Sequence, residues 1–436
     1  MLKKVLIITY YWPPAGGIGV VRWIKFVKYL RNFGWEPVVY TVTGKGYPLK
    51  DTSMEKDIPM NLTIIRRRIW EPFRLYQFFL KNKNESEKLD DIKWRSNATF
   101  SQNLSNWIRA NLFIPDARAF WIKPSVRFLV NYLKTNPVDS IVSTGPPHSA
   151  HLIALGIKKR TGLNWLADFR DPWTTMDYYK ELLLTKWANK KHHRLENEVL
   201  NEADVVTVVS NGMKTEFESK RGREVVIVTN GFDSDDFSGE KIELDQDFSI
   251  MHAGSFYSRV NPTGLWKALL ELKEENHPMF SKLKIKLMGR VGADVIESIH
   301  AYGLHEFLIL IPFQPRDEAV KQIRSAQVLL LCVLEQARFV LTGKLFEYLA
   351  AQRPILCIGP KEGDAAKIIR ETSSGLSFSF DEVKSIKQYL VDLYIKFEKG
   401  DPFNNWNNVQ NYSHKLLAKQ IADLLNQSTN AHHLKS

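Results

Sequence analysis

Gly343, Lys344 and Glu347 fall within the stretch TGKLFEYLAAQRPILCIGP at 342–360. Their types and spacing suit one kind of ligand. Glycine lets backbone approach closely, lysine supplies a positive charge, and a carboxylate one turn later can accept hydrogen bonds from both hydroxyls of a ribose. The apolar run AQVLLLCVL at 326–334 reads as a buried strand leading into this segment, 345–351 as a short helix, and 354–358 as the next strand. Strand, glycine loop, helix, strand is a nucleotide-site layout. The free N–H groups and partial positive charge of a helix N-terminus suit a diphosphate, with Thr342 and Gly343 at the entry.

Other loops carry chemistry too. YYWPPAGGIG at 10–19 follows the first strand, and Gly16, Gly17 and Gly19 admit a ligand before a helix begins. It fits neither GxGxxG, since Arg22 stands three residues after Gly19, nor a GK[ST] phosphate loop. It reads as a loop over sugar or phosphates with Arg22 as a charge partner, or as a tight turn. STGPPHSAH at 143–151 places His148 and His151 on one helical face, for hydrogen bonding to a sugar hydroxyl, for proton handling, or as capping or surface histidines. DFRDPW at 168–173 brings Asp168, Arg170 and Asp171 to a strand's carboxyl end, as active-site groups or as a surface pair before an Asp-Pro turn. GSFYSRVN at 254–261 offers Gly254 for close approach and Arg259 as a phosphate ligand, or an ordinary loop with an exposed arginine. NGFDSDDF at 230–237 is a turn by itself and a weak signal.

The elements that must position these loops alternate. Strands are expected at 3–9, 36–42, 140–143, 164–168, 204–209 and 225–228, with helices between, so a parallel sheet follows. A polar stretch at 238–248 reads as a linker. A second alternating run has strands at 249–253, 284–288, 307–311, 326–334 and 354–358. The chain's 436 residues exceed what one core usually supports. The reading is α/β: two doubly wound domains, 1–240 and 248–405, with ligands at the carboxyl ends of the strands and in the cleft between the halves. One further helix at 414–425 precedes a polar tail.

A net charge of +12 favours an anionic partner, and two cysteines exclude a disulfide framework. Cys332 and Cys357 lie in apolar runs and read as reduced, buried thiols of a cytoplasmic protein. No metal site is expected, no apolar run reaches membrane-spanning length, and the N-terminus reads as a strand rather than a signal peptide. RRRIWEPFRLYQFF at 66–79 and the aromatic stretch 94–113 suit either an anionic membrane surface or a solvated face over a buried stripe.

Together the motifs resemble a GT-B glycosyltransferase of family 4, the retaining, nucleotide-sugar-dependent class of bacterial polysaccharide synthesis. YYWPP-x-GG is similar to the family's opening loop. PPHS-x-H and DFRDPW resemble a subgroup for capsule, O-antigen or exopolysaccharide assembly. VVSNGM and VTNGFD-x-x-DF resemble the approach to the interdomain linker, and TGKLFEYLAAQRPIL resembles the donor-site helix. The resemblance implies two Rossmann-like domains facing across a cleft, the first rejoined by a C-terminal helix at 410–430. It also implies Glu347 on the nucleotide ribose. The family's companion glutamate falls at Phe339 here, so Glu335, or backbone near Thr342 and Gly343, must serve the sugar, or specificity or activity differs. Arg259 fits the family's phosphate arginine loosely, and Lys344 stands in for its lysine.

The implied activity is transfer from a UDP- or GDP-sugar to a glycan or lipid-linked acceptor. It is metal-independent and retaining, and the protein is cytoplasmic with peripheral contact at the anionic inner membrane face. A dinucleotide oxidoreductase is disfavoured by the missing GxGxxG and by Thr41, Val42 and Thr43 where an acid belongs. A non-catalytic binding protein of the same fold draws support from Phe339. No nucleic-acid-binding module is visible.

Overall fold

The computed structural model describes residues 2–43, 51–70, 107–176, 179, 182–239, 241–401, 403 and 406–433. The chain forms two compact units: Met1–Val228 with Leu417–Ser436, and Thr229–Leu416. The division falls ahead of the polar stretch at 238–248. The aromatic segments at 71–79 and 94–106 lie outside the described residues.

The first unit is built on a seven-stranded sheet. Its strands are β1 (Lys3–Ile8), β2 (Trp35–Val42), β3 (Thr63–Arg67), β4 (Ser140–Gly145), β5 (Asn164–Phe169), β6 (Val205–Val208) and β7 (Val226–Ile227), in the order β3-β2-β1-β4-β5-β6-β7. All pairings are parallel; Val5 to Ile8 of β1 lie beside Ser140 to Ser143 of β4. Parallel strands with helices on both faces are buried along their length, and β4 and β5 are buried at every position, polar residues included. Leu417, Ala418, Ile421, Ala422 and Leu425, all on helix His414–His433, join the same core, and Gln420 Nε2 donates to the Ile227 carbonyl at 3.0 Å.

The second unit has a six-stranded sheet ordered β10-β9-β8-β11-β12-β13. Its strands are β8 (Phe248–Ala253), β9 (Leu283–Met288), β10 (Leu308–Ile311), β11 (Val328–Cys332), β12 (Ile355–Ile358) and β13 (Gly375–Phe378). Cores lie on both faces, one over helices Thr263–Glu274 and Val383–Lys399, the other under helix Gly343–Ala351. Cys332 and Cys357 are buried free thiols on adjacent strands, pushed up by burial.

In each sheet the strand order reverses once, between β1 and β4 and between β8 and β11. Loops leaving such neighbours run in opposite directions and open a crevice at the carboxyl ends, the place where sheets of this type bind ligands. Four of the loops singled out by composition, those after β1, β4, β8 and β11, flank these two reversals. Among the described residues, no helix is long and apolar enough to cross a membrane.

Candidate nucleotide-sugar site

In the second unit, helix Gly343–Ala351 begins at Thr342, whose side chain makes no capping bond and whose Oγ1 is buried without a hydrogen-bond partner among the described residues. No acid occupies the first turn. The first-turn amides therefore present their positive end with no local carboxylate to offset it. Space above Gly343 is open: a Cβ there would meet nothing within 4 Å.

Lys344 reaches back across the sheet reversal to the loop after β8. Its Nζ lies 3.0 Å from His252 Nε2 and donates to the Ser255 carbonyl at 2.9 Å. An ammonium only donates, so His252 Nε2 accepts and the imidazole proton sits on Nδ1, which donates to the Leu330 carbonyl at 3.0 Å. Burial, then the Lys344 charge, lowers His252 to about 3, and burial lowers Lys344 from its ordinary value. Two of the three ammonium protons are thus spent, and the third remains for a ligand. Gly254 makes this approach feasible. Its φ is +98°, and a Cβ would stand 2.7 Å from Lys344 Cε.

Glu347, one turn along, is half-buried and accepts from Arg316 Nη1 at 2.8 Å through Oε1. Arg259 sits exposed on the 3₁₀ turn Ser258–Val260. Phe339 is 48% exposed, on the loop between β11 and the helix. Sequence reasoning missed Arg316, which lies outside every quoted motif; only its helix-initial place after Pro315 marks it.

In the first unit, Gly17 takes φ +93° and ends the loop where helix Ile18–Leu30 begins. The sequence offers Asp168 as an active-site carboxylate or a surface acid. The structure corrects the surface reading: Asp168 is wholly enclosed, and its oxygens accept from Arg22 Nε at 3.1 Å and Nη2 at 2.8 Å, Trp23 Nε1 at 2.7 Å, Thr144 Oγ1 at 3.0 Å and Thr207 Oγ1 at 2.9 Å. With five donors on two oxygens, no lone pair is left for a substrate. Burial works to raise this carboxyl, but Arg22, Trp23 and Thr207 outweigh it, and Asp168 lies below its ordinary value. Arg22, read as a ligand's charge partner, is instead the partner of Asp168.

Arg170 pairs with backbone. It donates to the Gly19 carbonyl at 2.9 Å and to the Pro146 carbonyl, joining the loops after β1 and β4. His151 is buried on Phe169, with ring centroids 4.2 Å apart, and its Nδ1 lies 2.8 Å from Ser143 Oγ. His148 stacks on Trp173 at 4.6 Å. His148 Nδ1 and His151 Nε2 lack partners among the described residues, and both lie beside Gly145, 3.1 and 2.5 Å from where its Cβ would be. Burial pushes His151 down to about 3 and His148 well below its ordinary value, so both are neutral at physiological pH. Neither lies at the surface; His148 occupies the N-cap of helix Ser149–Thr161 without a side-chain capping bond, and both rings lie under the loop after β4, with Gly16 and Gly17 on the loop after β1.

The sequence matches no family model and no curated protein. Solved structures do resemble it along almost all of its length. A glycosyltransferase from Rickettsia africae aligns over 98% of both chains with a TM-score of 0.62 and 13% identity. HepE of Anabaena, in complex with UDP, aligns over 97% of this chain and 100% of its own with a TM-score of 0.61 and 13% identity. The fold is GT-B. A Listeria monocytogenes protein named as a UDP-N-acetylglucosamine 2-epimerase also shares it, at a TM-score of 0.55 and 12% identity over 100% of this chain and 98% of its own. GT-B architecture therefore serves more than one chemistry, and function must be argued from the site.

Proposed function

We propose that this chain is a glycosyltransferase that moves a sugar from a UDP- or GDP-sugar to a glycan or lipid-linked acceptor in cell-surface polysaccharide synthesis. The observation that carries this reading is the convergence at the β8/β11 reversal of an uncapped helix N-terminus, the Lys344 ammonium beside Gly254, and the Glu347 carboxylate one turn on. These groups match a diphosphate and a ribose in the order a nucleotide presents them. The UDP held by the GT-B protein HepE supports a nucleotide of this class.

In this reading the bond between the anomeric carbon and the diphosphate oxygen breaks as the acceptor oxygen attacks on the same face. The acceptor proton passes to the departing phosphate, and configuration is retained without a protein nucleophile. Lys344, the helix amides and Arg259 from its exposed turn stabilise the charge that develops on the leaving group, which makes a metal ion dispensable. Asp168, Arg170, His148 and His151 shape the loops of the first unit. The two histidines, neutral and with one free nitrogen each, offer hydrogen bonds to a sugar hydroxyl once a ligand displaces the loop. Arg66, Arg67 and Arg68, with exposed Trp70 and Phe120 in edge contact at 4.8 Å, support a peripheral site on the anionic inner face of the membrane.

Phe339 favours one second reading, a GT-B protein that binds a nucleotide-sugar without turning it over. The test is thermal shift with UDP-, GDP-, ADP- and CDP-sugars and NAD in EDTA, followed by product analysis with candidate acceptors. A selective rise with one sugar nucleotide and release of its nucleoside diphosphate supports transfer. A rise without turnover supports the binding protein, and a rise with NAD alone rejects both.

A further inference from the structure

Arg316 stands between two carboxylates. Its Nη1 lies 2.8 Å from Glu347 Oε1 and its Nη2 lies 3.0 Å from Asp236 Oδ2. Asp236 sits on the helical turn Ser234–Phe237, within NGFDSDDF, the motif that is only a turn in the sequence. Arg316 opens helix Arg316–Ser325. A planar guanidinium held at both ends cannot swing, because each N–H direction is fixed by the other bond. Glu347 is therefore gripped by one oxygen, while Oε2 has no protein partner among the described residues. The three residues are partly enclosed, with side chains 10–29% exposed.

Building on the donor-site reading, we propose that Arg316 and Asp236 form a positioning pair for Glu347. They hold its carboxylate oriented so that Oε2 meets the ribose hydroxyls of a nucleoside diphosphate. Asp236 restrains Arg316, and Arg316 aims Glu347. Neither touches the ligand. A salt bridge of purely structural value would leave nucleotide affinity unaltered in variants that stay folded. A positioning pair makes affinity depend on both residues and only through Glu347.

The experiment is calorimetric titration of UDP and GDP into wild type, Glu347→Gln, Arg316→Gln, Asp236→Asn and the double variant Arg316→Gln/Glu347→Gln, with thermal melts of each protein without ligand. Residues sharing one network couple by amounts that predict about a tenfold weakening in Arg316→Gln and a smaller one in Asp236→Asn. The double variant should bind no more weakly than Glu347→Gln alone. Arg316→Lys, which cannot bridge both carboxylates, should restore only part of the affinity. Undiminished or tighter binding in Arg316→Gln overturns the positioning pair while leaving the donor site intact if Glu347→Gln weakens binding. Additive losses in the double variant also overturn it. Absence of binding to wild type by either nucleotide removes the donor-site reading, and the pair with it.

Discussion

Lys344 Nζ stands 3.0 Å from His252 Nε2, joining the first turn of the helix after β11 to the last residues of β8 across the strand reversal. The contact fixes the histidine tautomer and, with the Ser255 carbonyl, uses two of the three ammonium protons. Replacing Lys344 by Gln removes a charge that the donor-site reading assigns to phosphate. Charged hydrogen bonds contribute about 1.5–3 kcal/mol, so UDP should bind roughly tenfold or more weakly while uridine is little affected. Calorimetry with both ligands decides this. An equal loss for uridine would place Lys344 away from the phosphates.

Gly254 offers an independent check on the same contact. Alanine there must adopt φ +98° and meets Lys344 Cε at 2.7 Å, so the end of the lysine has to shift from its place beside His252 and Ser255. Gly254→Ala should reproduce part of the Lys344→Gln loss of UDP affinity. It should also lower stability by about 1–3 kcal/mol through backbone strain. Urea denaturation and UDP titration of the same preparation test both parts, and full UDP affinity in the folded variant would refute the geometry.

Much of this was legible in the sequence. Continuous apolar runs announced β1, β11 and β12, because parallel strands covered on both faces leave no polar alternation. Glycines after β1, β4, β8 and β11 marked the loops. β3 was hidden because Thr63–Arg67 carries arginines at an edge, and reads as a basic patch. β13 was hidden because Gly375–Phe378 is short and contains glycine and serine. The fate of Asp168 was not legible either. Its donors come from 22, 23, 144 and 207, residues that only the assembled sheet brings together. Spacing reveals local geometry, and a buried ion pair between distant segments leaves no local trace.

That pair makes its own prediction. Arg22 and Asp168 are 2% and 0% exposed, so removing one leaves an uncompensated charge in the core. Asp168→Ala should cost about 3–5 kcal/mol of stability. Asp168→Asn keeps some hydrogen bonds but still strands the arginine, and should cost less than the alanine variant. Chemical denaturation measures both. A loss below about 1 kcal/mol, the range of an exposed pair, would mean the carboxylate is open to water.

The buried histidines set the acid limit of the fold. His151 and His252 are held near 3 and His148 well below its ordinary value, against about 6.5 in the unfolded chain. Below about pH 6.5 the unfolded chain binds protons that the folded protein refuses, so stability must fall as pH drops. The fall continues until the folded-state values near 3 are reached, and above pH 6.5 these groups contribute no slope. One histidine shifted this far withdraws about 3 kcal/mol by pH 4. Urea midpoints at pH 7.5, 5.5 and 4.5 should therefore decline steeply. His151→Gln, which can keep the hydrogen bond to Ser143, should start less stable and decline less. A wild-type profile flat between pH 7.5 and 4.5 would mean that these rings already take up protons in the folded protein, and with them the neutral, hydrogen-bonding role proposed for His148 and His151 would fall.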